Sequence, residues 1–397
     1  MKKIVVIGGG FAGISVIRDL RDVEDAEIIL ISNDTEFRYT PALYHTATGG
    51  LKRESSMPVQ DLISTTPRAK FILAKADKID RAKKSISLDN GDTIHYNYCV
   101  LALGVITNYF GAEGLDRYSY SIKSAKEVEK LKQHLHEQLI DDKRTDDNYV
   151  IVGAGPTGVE LGSALGAYIK KIARLHKVKK NKVTIEIVEA ADRILPSLSE
   201  KAANIALKRL KQIGVKVSVK SRVKSETREG LILEDRTIET QTVVWTAGIS
   251  NNPFFQNNAD QFMLDKKNKV IVDDYMCVDK FVFVVGDNAA TKFSGMAQTA
   301  IVQAKYVSHG IKRLLAGKEF KPFKQASPIY AIPISPKQAI ITWKNLSFGG
   351  FIGGALRSVA DLIGYADIMG YRKAFSLWTN SEHYEETCSV CNAANIK

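Results

Sequence analysis

Apolar residues along this chain gather in short unbroken runs, and stretches of helical period separate them. The runs Ile4–Ile7, Glu27–Ile31 and Tyr96–Gly104 read as strands covered on both faces, the pattern of a parallel sheet packed between helices. Ala12–Arg21 supplies the helix between the first two. In Ser124–Ile140, Val128, Leu131, Leu135 and Leu139 fall on one helical face. A second series then begins with Tyr149–Val152, a helix over Gly158–Ala173 and the strand Val183–Glu189. Shorter strands follow at Val215–Val219, Gly230–Glu234 and Thr237–Glu239, and Thr242–Gly248 closes the unit. The alternation predicts an α/β protein with two successive parallel-sheet units. Val270–Val272 and Phe281–Val285 are further strands, and a long helix runs from Gly295 to Leu315. Beyond Pro322 the character changes. Two strands are expected at Ile329–Ile332 and Ala339–Trp343, then a flexible turn over Phe348–Gly354. Short amphipathic helices follow at Ala355–Gly364 and Ile368–Trp378, with Arg357, Asp361, Arg372 and Lys373 on their polar side. Core packing and an interfacial membrane role are both open for these helices.

The first strand of each unit ends in the same punctuation. Gly8, Gly10 and Gly13 form G-x-G-x-x-G after Ile4–Ile7, and Gly153, Gly155 and Gly158 repeat it after Tyr149–Val152. In such a turn the first glycine allows the tight bend and the second lets backbone approach a pyrophosphate. The third seats the following helix, whose N-terminal amides face the phosphate charge. One copy is weak support for a nucleotide site. Two copies, each between an apolar strand and an amphipathic helix, imply two dinucleotide sites.

The second strand of the first unit ends in Ser32 where an acidic ribose ligand is usual, with Asn33 and Asp34 as substitutes one or two places on. In the second unit Glu189 ends the corresponding strand. A carboxylate there accepts from a ribose diol and repels a 2′-phosphate, so this site is expected to prefer NAD(H) over NADP(H). Glu160, in the first turn of the second glycine helix, either answers the helix dipole alone or stands near a redox centre. Thr40, Pro41 and the aromatic segment to Gly49 form either a covering loop or a wall against a flavin ring. His45 in that segment reads as a satisfied histidine, and Cys99 as a small core residue. Asp287, ending Phe281–Val285, is placed to bind a hydroxyl-rich chain or to cap a helix.

Composition narrows the partners. The chain has 397 residues, enough for two or three domains, and a formal net charge of +12. The excess calls for an anionic partner, yet no nucleic-acid motif occurs and the lysines are scattered outside Lys170–Lys182. That cluster is a solvated helix end and loop or a contact for anionic lipid. Lys2-Lys3 precede too few apolar residues for a secretory signal, and no apolar run spans a bilayer. The four cysteines, far apart except for a pair in the tail, suggest no disulfide framework, no metal site is expected, and a cytoplasmic setting is expected. Cys388 and Cys391 form a lone C-x-x-C near the end of the sequence, read as neither a metal ligand pair nor a redox pair.

The glycine turns, the strand ends Leu101–Gly104 and Trp245–Gly248, and Gly286–Ala289 occur in a fixed order. This resembles the two-dinucleotide-binding-domain flavoproteins over Met1 to Leu315. Within them the chain is most similar to type II NADH dehydrogenases, through Thr40–Gly49, Gly155–Leu161 and Ala297–Ala300. The resemblance implies two Rossmann-like domains. These are an FAD domain in two parts (1–113 and 251–322), an inserted NAD(H) domain (114–250), and a C-terminal region (323–397) that contacts membrane or a second copy. It implies FAD on Gly8, Gly10, Gly13, Ser32, Thr40, Pro41, Gly104, Asp287, Ala297 and Gln298. NADH then falls on Gly153, Gly155, Gly158, Glu189 and Gly248, with proton transfer through Glu160 and Gln298. The implied activity is electron transfer from NADH through flavin to a quinone, peripheral on the cytoplasmic face. Where the family carries a second glutamine, Val302 stands with Gln303 beside it, which keeps two alternatives in view. One is a soluble acceptor such as ferredoxin or oxygen. The other is a slow NADH-sensing flavoprotein of the apoptosis-inducing-factor type. The absence of cysteine from the 40s segment argues against disulfide reduction.

Overall fold

The structure, a computed structural model, describes residues 1–141, 145–178 and 183–380. Lys179, Lys180, Lys182, Cys388 and Cys391 lie outside the described residues. The first sheet has six strands in the spatial order Cys277–Asp279, Val282–Val284, Tyr98–Leu101, Lys2–Ile7, Ala26–Ser32 and Ala69–Leu73. Every neighbouring pair is parallel except the first. Ile4, Val5 and Val6 lie fully buried at its centre, so the apolar run is the consequence of helices covering both faces. The second sheet is all parallel, in the order Val215–Ser218, Thr184–Val188, Asn148–Val152 and Thr242–Trp245. In both sheets the strand leading into the glycine turn is an interior one. Between the sheets the chain crosses as Val105–Thr107, returns as Ile249–Asn251, and pairs these two segments antiparallel.

The terminal region joins both cores. Strands Tyr330–Ser335, Gln338–Trp343 and Leu346–Gly350 form an antiparallel sheet whose Ile332, Ile334 and Ile340 enter the core around the second parallel sheet. Helices Phe351–Met369 and Tyr371–Asn380 send Tyr365, Ile368, Ala374 and Leu377 into the core around the first. Three expectations are corrected here. The glycine-rich stretch 348–354 is no flexible turn: it ends a strand and opens a helix. A Cβ on Gly353 would lie 2.1 Å from the Ala339 carbonyl oxygen, so glycine serves close packing. The helix runs unbroken to Met369 and stops at Gly370, whose φ of +84° suits glycine. Val270–Val272 forms no strand, only isolated bridges from Val270 to Leu264 and Ala289.

The outer face of the terminal helices is apolar and open. Phe351, Ile352, Val359, Ile363, Tyr371 and Phe375 are all exposed, Ile352 at 71%. Among the described residues no helix is long and apolar enough to cross a membrane.

Candidate active site

The first glycine turn is closed where the protein needs contact and open where a ligand would lie. A Cβ on Gly8 would meet the Ala102 carbonyl oxygen at 2.1 Å, and one on Gly13 would meet the Gly8 carbonyl oxygen at 1.8 Å. A Cβ on Gly10, which caps helix Phe11–Asp19, meets nothing within 4 Å. The second turn repeats this: Gly158 abuts the Gly153 carbonyl oxygen at 1.9 Å while Gly155 faces open space. The matching pattern fits two pyrophosphates, each set against a helix N-terminus.

The second strand ends differ as their residues do. Glu189 accepts from the Ala154 N–H at 2.7 Å and from the Ala191 N–H at 2.8 Å, so its carboxylate is fixed against the glycine turn. Ser32 is buried, and its hydroxyl accepts from the Asp34 N–H at 3.3 Å. Asp34 is engaged by Arg38 at 3.0 Å and Asn33 is exposed, so Ser32 is the group that lies beside the first turn. A Cβ on Gly9 would come within 3.0 Å of its oxygen.

Asp287 stands in the short turn after Val282–Val284. Burial pushes its carboxyl above the usual range, opposed by the Gly295 N–H and Lys269. Its Oδ1 accepts from that N–H at 2.8 Å, and Oδ2 takes no hydrogen bond from a described residue. A carboxyl with one committed oxygen fits a hydroxyl-rich chain. The neighbour Asn288, which sequence reasoning passed over, is fully buried. Its Oδ1 accepts from the Gly104 N–H at 2.9 Å, and its Nδ2 donates to the Gly104 carbonyl at 2.7 Å and to Asn251 Oδ1 at 2.7 Å. A Cβ on Gly104 would point into open space. Asn288 thus fixes the strand end that faces this open space. No sequence pattern marks it, because its partners are backbone atoms far away in the chain.

Ala297 opens helix Ala297–Leu315, and Gln298 is exposed, accepting from the Ile329 N–H at 3.1 Å. Gln303 is fully buried: its Oε1 accepts from the Gly286 N–H at 2.7 Å and its Nε2 donates to Thr291. Val302 is 42% exposed. Gln303 therefore braces the Gly286 turn and leaves valine on the outer face.

A finding beyond the sequence concerns Arg357 and Asp361, which the helical pattern puts on the polar side of their helix. Arg357 points inward. It donates to Asp361 at 2.8 Å, to the Ala331 carbonyl at 2.6 Å and to the Pro41 carbonyl at 3.2 Å, and lies 4.0 Å from Glu160 Oε1. Burial works against its charge, but Asp361 and then Glu160 hold the guanidinium above its ordinary range. Burial pushes the Glu160 carboxyl up to about 8, with Arg357 pulling the other way and Asp361 adding to the rise. At 4.0 Å the guanidinium is too distant to hydrogen-bond Glu160, and three of its five N–H donors are already engaged elsewhere, so burial prevails. Glu160 is therefore chiefly protonated at neutral pH. Thr40 is exposed beside this cluster, in the turn Thr40–Ala42. Pro41, Glu160 and Arg357 thus meet from three separate parts of the chain.

The remaining polar candidates are structural. His45 Nδ1 lies 2.8 Å from the buried Glu54 carboxylate. Cys99 is fully buried with its thiol pushed well up by burial, and burial pushes Cys277 up to about 12. Neither thiol is a thiolate at neutral pH.

Two glycine turns on parallel sheets, joined by a paired crossing, define a two-site nucleotide oxidoreductase. The chain belongs to the pyridine nucleotide-disulphide oxidoreductase family, whose model matches residues 2–304. Its cofactors are FAD and NAD(H), and it is an oxidoreductase. It is 28% identical over 346 residues to the type II NADH:quinone oxidoreductase of Staphylococcus aureus, covering 81% of this chain and 85% of the relative. Its fold is similar to that of NDH2 from Plasmodium falciparum, solved in complex with NADH. The TM-score is 0.82 at 14% identity, over 96% of this chain and 98% of that one. It is also similar to the sulfide:quinone oxidoreductase of Aquifex aeolicus, with TM-score 0.78, 20% identity and 98% coverage of both chains.

Proposed function

We propose that this chain oxidises NADH and delivers the electrons to a membrane quinone, with FAD on the first glycine turn and NADH on the second. Bound flavin supplies the hydride and electron chemistry. The chain's residues do the rest. Glu189 holds the NADH ribose and disfavours a 2′-phosphate. Asp287 takes hydroxyls of the flavin side chain, and Gly104, set by Asn288, lines the ring. Glu160, protonated at neutral pH, holds a proton where an acceptor needs one on reduction. The observation that carries the quinone reading is Arg357. It reaches Glu160 and Pro41 from the helix whose other face is the exposed apolar one. A lipophilic acceptor and the site are thereby served by one element, docked peripherally by its Phe351 and Ile352 together with Phe375 of the next helix.

The test is turnover with a soluble quinone analogue against turnover with ferredoxin and oxygen, using the flavin-loaded protein. Quinone turnover at least about tenfold faster supports the proposal, a clear difference on the scale of enzyme rates. Equal or faster turnover with ferredoxin or oxygen defeats it. The specific observation favouring that second reading is the exposed Val302, with Gln303 withdrawn into the core. Reduction by NADH slower than about one per second would instead fit a sensing flavoprotein.

A further inference from the structure

The ends of two strands meet at the second glycine turn. A Cβ on Gly153 would lie 2.7 Å from the Ala247 nitrogen, and the Thr246 hydroxyl donates to the carbonyls of Val152 and Gly153. The next residue, Gly248, has a φ of +64° and is walled on one side. A Cβ there would meet the Asn108 carbonyl oxygen at 2.2 Å and the Phe110 ring at 2.6 Å. On its carbonyl stands Lys123, whose Nζ donates at 3.0 Å. Lys123 is half-buried and precedes helix Ala125–Asp141. It forms no ion pair with a described residue. The nearby Glu127 spends its Oε2 on the Lys123 N–H at 2.9 Å and the Ser124 hydroxyl at 3.1 Å.

An ammonium has three donors and no acceptor capacity, and this one uses a single donor on a neutral carbonyl. Partly burying a cation is costly, the charge of Glu127 offsets part of that cost, and an anion at the two free donors would offset more. In open parallel sheets the ligand crevice lies outside the carboxyl ends of the strands. The strand ends beside Lys123 carry a phosphate-binding turn. The diphosphate is the negative part of an NAD molecule lacking a 2′-phosphate.

We infer that Lys123 is a positioning residue for the dinucleotide at the second site, its ammonium on Gly248 meeting the diphosphate held by the Gly153–Gly158 turn. The inference rests on the reading that this turn takes NADH. It adds a specific cation to a turn that otherwise offers backbone amides, and it sets affinity, because the charge acts on bound NADH and bound NAD⁺ alike.

The test is calorimetric binding of NAD⁺ and of ADP-ribose to the flavin-loaded full chain. Lys123→Met weakens both by about tenfold or more, the worth of a charge-assisted hydrogen bond. Lys123→Arg recovers both to within about threefold, and in turnover the Met variant raises KM for NADH rather than lowering kcat. If Lys123→Met does not accumulate, Lys123→Gln keeps a donor for Gly248 and removes only the charge. Unchanged affinity for both ligands beside a lowered Tm would make Lys123 a brace for Gly248 and overturn the inference. Loss for NAD⁺ alone would place the ammonium on the nicotinamide half and overturn it too. A wild-type protein that binds neither ligand would instead remove the reading of the turn on which it rests.

Discussion

Glu160→Gln isolates what burial does to one carboxyl. The wild-type group is pushed from 4.5 up to about 8, and its residue is 8% exposed. Ionising it in place therefore costs about 5 kcal/mol more than in water, at 1.36 kcal/mol per unit. The folded value is raised, so the unfolded chain sheds this proton first as pH increases. The stability contributed by neutral Glu160 is whole below about 4.5 and declines between about 4.5 and about 8. Glutamine has nearly the same shape and cannot ionise. The difference in Tm between variant and wild type, measured on flavin-loaded protein, should then rise from pH 5.5 to pH 9. Allowing for relaxation and for the pull of Arg357, about 2 kcal/mol of the full cost is expected to register, or several degrees. Quinone turnover should fall in the wild type above about pH 8, and in the variant lose that inflection along with about a hundredfold in rate. Arg357→Leu should shift the wild-type inflection upward, because it removes the charge that favours ionised Glu160. A Tm difference flat across pH would refute burial as the governing term, whatever turnover does.

Asn288→Leu strands the partly buried N–H and carbonyl of Gly104 and should cost about 1–3 kcal/mol, read as lost flavin content and lowered Tm. Gly10→Ala and Gly13→Ala should separate cofactor from fold. The first keeps Tm of the flavin-free protein and loses flavin, whereas the second collides with the Gly8 carbonyl and lowers Tm itself. Glu189→Gln should narrow the preference for NADH over NADPH by about tenfold, measured as the ratio of kcat/KM, since the repelling charge is gone. Replacing Phe351, Ile352 and Phe375 together with serine should release the protein from anionic vesicles in a flotation assay and leave Tm nearly unchanged, their side chains being exposed.

What the sequence disclosed and what it withheld divide along a physical line. Parallel strands buried on both faces must be continuously apolar, so Ile4–Ile7 and Tyr149–Val152 announce themselves, and their glycine turns follow at once. The fold class and the two dinucleotide sites were legible on that basis, and the resemblance to a flavoprotein family implied which cofactor each takes. The site was legible only where a residue's role is local, as with Gly10 or Glu189 at a strand end. Asn288 was invisible because it serves backbone groups from another part of the chain. The role of Arg357 and Asp361 went unread for a related reason. A helix with charges on one side and Phe351, Ile352, Val359 and Ile363 on another leaves open which side meets water. Here Arg357 is on the inner side, donating to Asp361, Ala331 and Pro41, and the apolar side is left open. Periodicity fixes which residues share a face and is silent on which face turns inward. The glycines of 348–354 were misjudged likewise, since lack of a side chain permits close packing as readily as motion.

The Asn288–Gly104 clamp spans 184 positions, and the strand beside Tyr98–Leu101 comes from residues 282–284. During synthesis the segment carrying the first glycine turn leaves the ribosome early but lacks a neighbour on one flank. The all-parallel unit between residues 148 and 245 has its strands in one continuous stretch and can assemble while the first waits. Nascent chains arrested short of residue 288 should accordingly form a protease-resistant central unit and fail to retain flavin, acquiring the yellow colour only once that late segment has emerged.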